Sequence, residues 1–524
     1  MKLVAKVLRI AHRLLLMGEE GELSSWLIFA VLLGAYLGFS LTLISVFGTN
    51  VILEYTRYGH DNAAHLYIPR AVVDNGENSK LSNLGVVWLP LYHLTVMFLT
   101  PIDLLYTTGL AGAIINAVVT AATASAIYML IRGKAGILAA AAYGANMYTV
   151  VHASSSYMVP IGQFLAVSAL YYFSRYCRNS SLKSLTKASA LVLLATLARY
   201  EAWLVVAALA VAVGVNEVKR RRWWVLAYVA PAYLGILGWL TYNAVIFGNP
   251  LEFIVHPSPG AAGYYNLIIE RLTNPLSANY LGIGRVAYKL AGPLAVLAPL
   301  GIIKYIAESR LRELTFMLTP LAILLAEGEG LLIIDHPLYF YFTLPYLVIL
   351  GVEGFTWAVK ALKSRKVQVL ATLMVLFLIA AHNSLTYGVL GNELINATSG
   401  YEKDLQLANV VIYAWSVRGG YVLCSSIANS YKISVLSGLS PRYIVDEYDM
   451  PNYVNVSKVS WRYNVTVIVM PTYDKYVSEE AFYNSLIRQN YVTLYYSNTT
   501  WRSELLDRYE VVGQYAGYYI LVIK

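Results

Sequence analysis

The residues best suited to chemistry gather in a few short stretches. The densest is Arg57-Tyr58-Gly59-His60-Asp61-Asn62-Ala63-Ala64-His65-Leu66-Tyr67. With a helix starting at Asp61, Asp61 and His65 share a face one turn apart, and the carboxylate sits at the positive end of the helix. Two uses fit that placement. One is a helix cap, a common job for aspartate. The other is a general base that takes a proton from a hydroxyl, with Arg57, His60 and His65 as substrate contacts. Spacing alone leaves both open. A second stretch, Arg199-Tyr200-Glu201-Ala202-Trp203, lies at a turn between two apolar runs. Its guanidinium and carboxylate can brace the turn, or the guanidinium can bind a phosphate.

Other candidates are more scattered. Arg285 and Lys289 flank the start of an apolar run, as phosphate contacts or as side chains reaching for the interface. His256 and Tyr264 fall in a loop rich in Pro, Gly and Tyr, and Glu327, Glu329 and Asp335 form an acidic group beside His336. Asp61, His65 and His256 have the ligand types for a divalent metal, but no spacing that fixes a geometry. The sequence has no Walker A loop, His-Glu-x-x-His, Cys-x-x-Cys, nucleophile elbow or Rossmann fingerprint.

The elements that must position these groups are membrane helices. Of 524 residues, 58% are hydrophobic and only 13% charged, with a mean hydropathy of +0.55. A soluble chain is roughly one quarter charged, so the solvent is lipid. About eleven spans are expected, near 26–47, 101–131, 135–151, 159–176, 188–199, 202–215, 223–246, 285–305, 314–334, 338–359 and 367–386. The run from Trp26 to Phe47 reads as a retained helix and not a cleaved signal. Several spans are short and suggest helices that stop early around a cavity.

Charge sets the sidedness. The net charge is +9, yet residues 390–524 carry 11 Lys+Arg against 12 Asp+Glu, so the excess lies in the apolar part. It clusters at span ends, as in Lys2, Lys6, Arg9 and Arg13, or Lys219 to Arg222, or Lys360, Lys363, Arg365 and Lys366. This is the positive-inside pattern and argues against a nucleic-acid partner. It implies a multi-pass protein of the plasma membrane with a cytoplasmic N-terminus. Two long segments, 48–100 and 247–284, fall outside, and of eight histidines only His12 falls on the cytoplasmic side. Cys177 and Cys424 lie on opposite sides, which excludes a disulfide between them.

Past Ala381 the texture changes. Residues 390–524 read as a small extracytoplasmic α/β domain, with strands at Tyr421–Leu423, Val465–Met470, Val492–Tyr496 and Tyr518–Ile523 and a helix at Glu479–Arg488. The expected fold class is thus a multi-span α-helical membrane domain, 1–389, followed by this C-terminal α/β domain, 390–524.

The order of motifs resembles a known superfamily. Gly59-His60-Asp61-Asn62-Ala63-Ala64-His65 in an outer loop is followed by Pro90-Leu91-Tyr92-His93, Ala198-Arg199-Tyr200-Glu201-Ala202-Trp203, Phe247-Gly248-Asn249-Pro250-Leu251-Glu252-Phe253 and Tyr339-Phe340-Tyr341-Phe342-Thr343-Leu344-Pro345. Over most of residues 26–360 this looks like the GT-C membrane glycosyltransferases, near the dolichyl-phosphate-mannose–protein mannosyltransferase-like branch. The resemblance implies an inverting transfer from a polyprenyl (dolichyl) phosphate sugar to an acceptor hydroxyl outside the cytoplasm. It makes Asp61 the general base, and it implies a protein, lipid or glycan acceptor. Arg199, with Arg285 or Lys289, would offset charge on the departing phosphate. Glu201, His60, His65, His256 and Tyr264 would line the substrate site.

Three departures stand out. Asn62 follows Asp61 where protein mannosyltransferases usually carry a second acid. Trp223-Trp224 is followed by Val225, so the oligosaccharyltransferase signature is absent, and Tyr341-Phe342 stands where related enzymes often have Arg-Tyr. A transporter or lipid flippase is the rival reading, but no internal repeat supports it. A non-catalytic scaffold with an outward binding domain is the other.

Overall fold

A computed structural model of the chain describes residues 22–57, 61–74, 81–85, 87–255, 280–322, 324, 337–424, 427–445, 464–471, 509–515 and 518–524. The chain is a multi-span α-helical membrane protein with a small sheet at its C-terminal end. In chain order the helices are α1 (Glu22–Phe47), α2 (Glu54–Arg57), α3 (Asp61–Val73), α4 (Pro90–Val96), α5 (Asp103–Thr107), α6 (Leu110–Ile131), α7 (Gly133–Gly144), α8 (Met147–Ala153) and α9 (Val159–Asn179). Then come α10 (Leu182–Thr196), α11 (Glu201–Lys219), α12 (Leu234–Phe247), α13 (Glu252–Val255), α14 (Tyr280–Ala291), α15 (Pro293–Ala307), α16 (Leu311–Leu321), α17 (Leu344–Ala361) and α18 (Arg365–Arg418).

Among the described residues six helices are long and apolar enough to cross a bilayer, and seven if a bent pair counts as one span. This is fewer than the sequence reading expects, for local reasons. The expected span 135–151 divides into α7 and α8, because the Asn146 side chain caps α8 by accepting from the Tyr148 N–H at 3.0 Å. Helix α10 has 15 residues, roughly 22 Å at 1.5 Å each and short of a hydrocarbon core of about 30 Å. Helix α9 is long enough, at 21 residues, but carries Gln163, Ser168 and Ser174 and buries nearly all its side chains. It forms the centre of the bundle, between α6, α10 and α16.

The expected span 285–305 is not one helix. Helices α14 and α15 meet at 106°. Gly292 adopts φ 56°, and Pro293 follows at the first turn of α15. A side chain at Gly292 would meet the His382 ring at 2.6 Å, so the bend also admits α18.

Helix α18 runs for 54 residues, roughly 80 Å, and crosses the 389/390 boundary without a break. Beyond the lipid-facing part its buried positions are Leu390, Ala397, Tyr401, Leu407, Ala408, Val411 and Ala414. That stripe recurs at helical spacing, so the drop in hydropathy after 381 marks a change of solvent and not the end of the helix.

Helix α18 leads into β1 (Tyr421–Cys424), α19 (Ile427–Ser437), β2 (Ile444–Val445), β3 (Val465–Pro471), β4 (Tyr509–Tyr515) and β5 (Tyr518–Ile523). They form one sheet in the order β2-β1-β3-β5-β4. Strand β1 pairs in parallel with β2 and β3, while β5 runs antiparallel to both β3 and β4. Three expected strands match β1, β3 and β5; β2, β4 and α19 were not foreseen. The expected strand Val492–Tyr496 and helix Glu479–Arg488 lie outside the described residues. Helix α19 packs on α3, with Tyr431 and Tyr67 rings 5.1 Å apart. The sheet module thus rests directly on the segment that carries Asp61.

Candidate active site

The site begins with a stitched loop. Residues Ser154, Ser155 and Ser156 join α8 to α9 and are wholly buried, so their backbone groups need internal partners. Three asparagines supply them. Asn50 donates through Nδ2 to the Ser154 carbonyl at 2.8 Å, and Asn116 donates to the Ser155 and Tyr157 carbonyls, both at 2.7 Å. Asn62 accepts from the Ser156 N–H at 2.7 Å. Asn62 therefore locks the first turn of α3 to the bundle, which gives it a structural use at the position where related enzymes carry an acid.

Asp61 opens α3. Withdrawal from water pushes its carboxyl up to about 6, against an opposing pull from the Arg199 guanidinium. A second carboxyl lies close by. Glu54, on α2, is fully buried and accepts from the Ala63 N–H at 2.9 Å, which satisfies an orphan donor at the start of α3. Its Oε1 has no partner among the described residues. Burial pushes Glu54 up to about 8, with Lys432 and the Ala63 N–H opposing and the charges of Asp61 and Asp404 adding. Sequence reasoning missed Glu54. The available signal was a lone acid ending the apolar run Val51-Ile52-Leu53.

His65, one turn on, does not bond Asp61. Its Nδ1 meets Nε2 of His93 at 2.9 Å, and its ring is edge-on to Trp88 and Tyr92 at 5.0 and 5.7 Å. Burial, then His93 and Arg199, drive its pKa well down, so the imidazole is neutral. Its ring is held in place by His93 of α4.

Arg199 and Glu201 form a fork. Arg199 Nε reaches Glu201 Oε2 at 3.0 Å and Nη2 reaches Oε1 at 2.5 Å, with the Glu201 side chain only 1% exposed and that of Arg199 19%. The arginine stem lies across Gly162 of α9, where an added Cβ would sit 2.5 Å from its Cγ and 3.3 Å from the Phe342 ring. Glycine at 162 thus leaves room for the arginine stem. The turn itself is pinned from two sides. Leu91 N–H donates to the Leu197 carbonyl at 2.9 Å, and the Tyr200 hydroxyl donates to the Val87 carbonyl at 3.1 Å. Phe253 of α13 stacks on Tyr200 at 5.3 Å. The first outer segment, the Arg199 turn and the start of the 247–284 segment therefore converge on one place.

The Tyr341-Phe342 motif sits beside it in a polar aromatic cluster. The His152 ring stacks on Tyr341 at 4.0 Å, and its Nδ1 lies 2.8 Å from the Tyr148 carbonyl, so Nδ1 carries the proton. Gln163 donates to the Tyr341 carbonyl and accepts from the Tyr143 hydroxyl at 2.7 Å.

Of the expected site residues, Asp61, His65, Arg199 and Glu201 are brought together. Arg285 is exposed and Lys289 half-buried on α14, which packs on the segment Pro337–Thr343 and so stands one layer further out. His60, His256, Tyr264 and the Arg57 side chain lie outside the described residues, as do Glu327, Glu329, Asp335 and His336. No group of three metal-ligating side chains occurs among the described residues.

The architecture has solved relatives in shape. The chain is similar to ArnT from Cupriavidus metallidurans in its apo state, with a TM-score of 0.52 at 14% identity, covering 93% of this chain and 98% of that one. The fold is a GT-C fold. ArnT from the same organism bound to undecaprenyl phosphate gives 0.50 at 11% identity, covering 93% and 97%. The archaeal oligosaccharyltransferase AglB from Archaeoglobus fulgidus, in complex with an inhibitory peptide and a dolichol-phosphate, overlaps more loosely, at 0.42 and 11% identity over 91% and 74%. No family model and no curated protein matches the sequence. The GT-C fold expected from motif order is thus present over most of the chain, at identities that speak for shape alone.

Proposed function

We propose that this chain is an inverting glycosyltransferase that moves a sugar from a polyprenyl phosphate to an acceptor hydroxyl at the outer face of the membrane. The observation that carries this reading is that Asp61 lies within the electrostatic reach of Arg199, whose guanidinium is braced by Glu201. A carboxyl tuned to about 6 stands in the field of a braced guanidinium, at the mouth of a GT-C fold. The undecaprenyl phosphate of the ArnT complex makes a polyprenyl phosphate the natural carrier of the donor sugar to test.

The chemistry follows from the charges. Ionised Asp61 takes the proton of an acceptor hydroxyl. The freed oxygen attacks C1 of the sugar from the face opposite the phosphate, and the C1–O bond breaks with its electron pair leaving on the phosphate. Arg199 offsets that growing negative charge from a fixed position. Glu201 holds the guanidinium in place, and the neutral His65 and Trp88 form an apolar wall for the sugar ring. The basic clusters at the opposite span ends support an extracytoplasmic site. The C-terminal sheet module, packed on the Asp61 helix, belongs to the same side in this reading, and motif order puts mannose first among donor sugars.

The test is direct. Purified protein is incubated with radiolabelled polyprenyl-phosphate mannose and glucose in the presence of membrane and protein acceptors. Transfer of label with release of polyprenyl phosphate is expected. Failure to consume any polyprenyl-phosphate sugar, with the protein folded, refutes the reading.

A further inference from the structure

The far end of α9 gathers a second group of charged side chains. Asp61 is tied to the Ser156 end of this helix through Asn62. The other end, a 21-residue helix away and so roughly 30 Å distant, opens on a cavity of about 380 Å³ lined by Cys177, Arg178, Ser309, Arg310, Arg312 and Glu313.

The charges in it do not balance. Glu313 is already satisfied. Arg310 grips it through Nε at 3.3 Å and through Nη2, and the Ser174 hydroxyl donates to it at 3.0 Å. Arg310 also pairs with Glu308 at 3.3 Å and lies over the Tyr305 ring at 4.2 Å. The other two guanidiniums meet only neutral acceptors. Arg178 donates to the Ser174 hydroxyl at 3.0 Å, and Arg312 donates to the Cys177 carbonyl at 3.0 Å while leaning on the Tyr176 ring. Neither has a carboxylate partner among the described residues. Three arginines against one glutamate leave a lining charge of 3 − 1 = +2. The first turn of α16, which edges the cavity, has no side-chain cap.

The rim is apolar. Ile306 is 53% and Leu311 56% exposed, on the helices that flank the cavity. A cationic recess beside exposed apolar side chains suits the headgroup layer of a membrane. Guanidiniums there match the oxygens of a phosphate.

We propose that this cavity is a binding site for a phosphate ester, on the face of the membrane opposite Asp61. A phospholipid headgroup and a soluble phosphate share that chemistry. Cys177 lines the cavity and is part-exposed, whereas Cys424 is buried, so alkylation of Cys177 reports occupancy.

The experiment uses the full chain in nanodiscs and measures the rate of maleimide labelling at Cys177. Discs of phosphatidylcholine alone are compared with discs containing phosphatidylglycerol, and with phosphatidylcholine discs in millimolar inorganic phosphate. Protection by phosphatidylglycerol alone identifies a lipid headgroup; protection by inorganic phosphate identifies a soluble phosphate. Arg178→Gln and Arg312→Gln should each cost about fivefold of the protection. Arg178 is exposed, so its replacement leaves the fold in place. Labelling unchanged by both ligands overturns the proposal. So does protection that survives both substitutions.

Discussion

The two ends of α9 handle charge in opposite ways. At the Asp61 end, carboxyls are withdrawn from water without a full complement of cations. Glu54 rises to about 8 and Asp61 to about 6, and the two imidazoles of His65 and His93 face each other uncharged. At the Cys177 end, every buried acid among the described residues is paired. Glu217 meets Arg222, Glu313 meets Arg310 and Glu353 meets Lys304. The surplus there is cationic. One end stores carboxyl groups ready to exchange protons, while the other stores fixed positive charge that anchors. The same bundle core separates them, so the difference comes from the side chains at its two mouths.

Breaking the Asp61 end should cost most. Asp61→Asn keeps the shape but removes the base, and sugar transfer should fall by about 10³-fold. In the wild type the rate should climb as pH rises through about 6, because the base acts only when ionised. A label-transfer assay across pH reads both, and Asn at wild-type rate removes Asp61 from the reaction. Arg199→Ala should lower kcat/KM for the lipid-linked donor by about 100-fold, the usual scale for a lost charge stabiliser. It also strands Glu201, so folding is checked alongside.

Smaller effects test the electrostatic contrast itself. Glu54 has a folded pKa above its ordinary 4.5, so its contribution to stability is full below that value and is lost as pH rises through about 8. Glu54→Gln keeps an acceptor for the Ala63 N–H. It should raise the apparent Tm by a few degrees above the upper value and change little near the lower one. A Tm difference that grows toward acid reverses the sign and contradicts the assignment. Glu217→Gln, at the other end, should cost about 1 kcal/mol because Arg222 remains partly solvated. Transfer kinetics should be untouched. A change in kcat there would mean that the two ends are not independent.

The sequence made part of this site legible. Asp61 and Arg199 announce themselves because an ionisable residue beside apolar runs is costly unless used. The fold class is legible for the same reason, from hydropathy and the basic clusters. The asparagine stitches were not. Asn62 and Ser156 are 94 residues apart and Asn50 and Ser154 are 104 apart, and nothing local marks such partners. Helix breaks were half-visible. Gly292-Pro293 is a plain stop signal, yet the apolar run through it reads as one span. His65 was legible as a site residue but not as a partner of His93, because its nearest acid in sequence drew the eye away from a histidine 28 residues on.

Helix α18 carries one more consequence. Only 6% of its apolar window is buried inside the protein, so lipid is its main neighbour through the bilayer. Its far half is bolted to the site: Asp404 on this helix takes the Lys432 ammonium of α19 at 2.8 Å and the Tyr55 hydroxyl at 3.2 Å, one residue from Glu54. A rod held by lipid at one end and by the acid-bearing turn at the other transmits tilt. Membrane thickness sets the tilt of such a rod. A change in bilayer thickness would therefore bear first, through Asp404, on the turn that carries Tyr55 and Glu54.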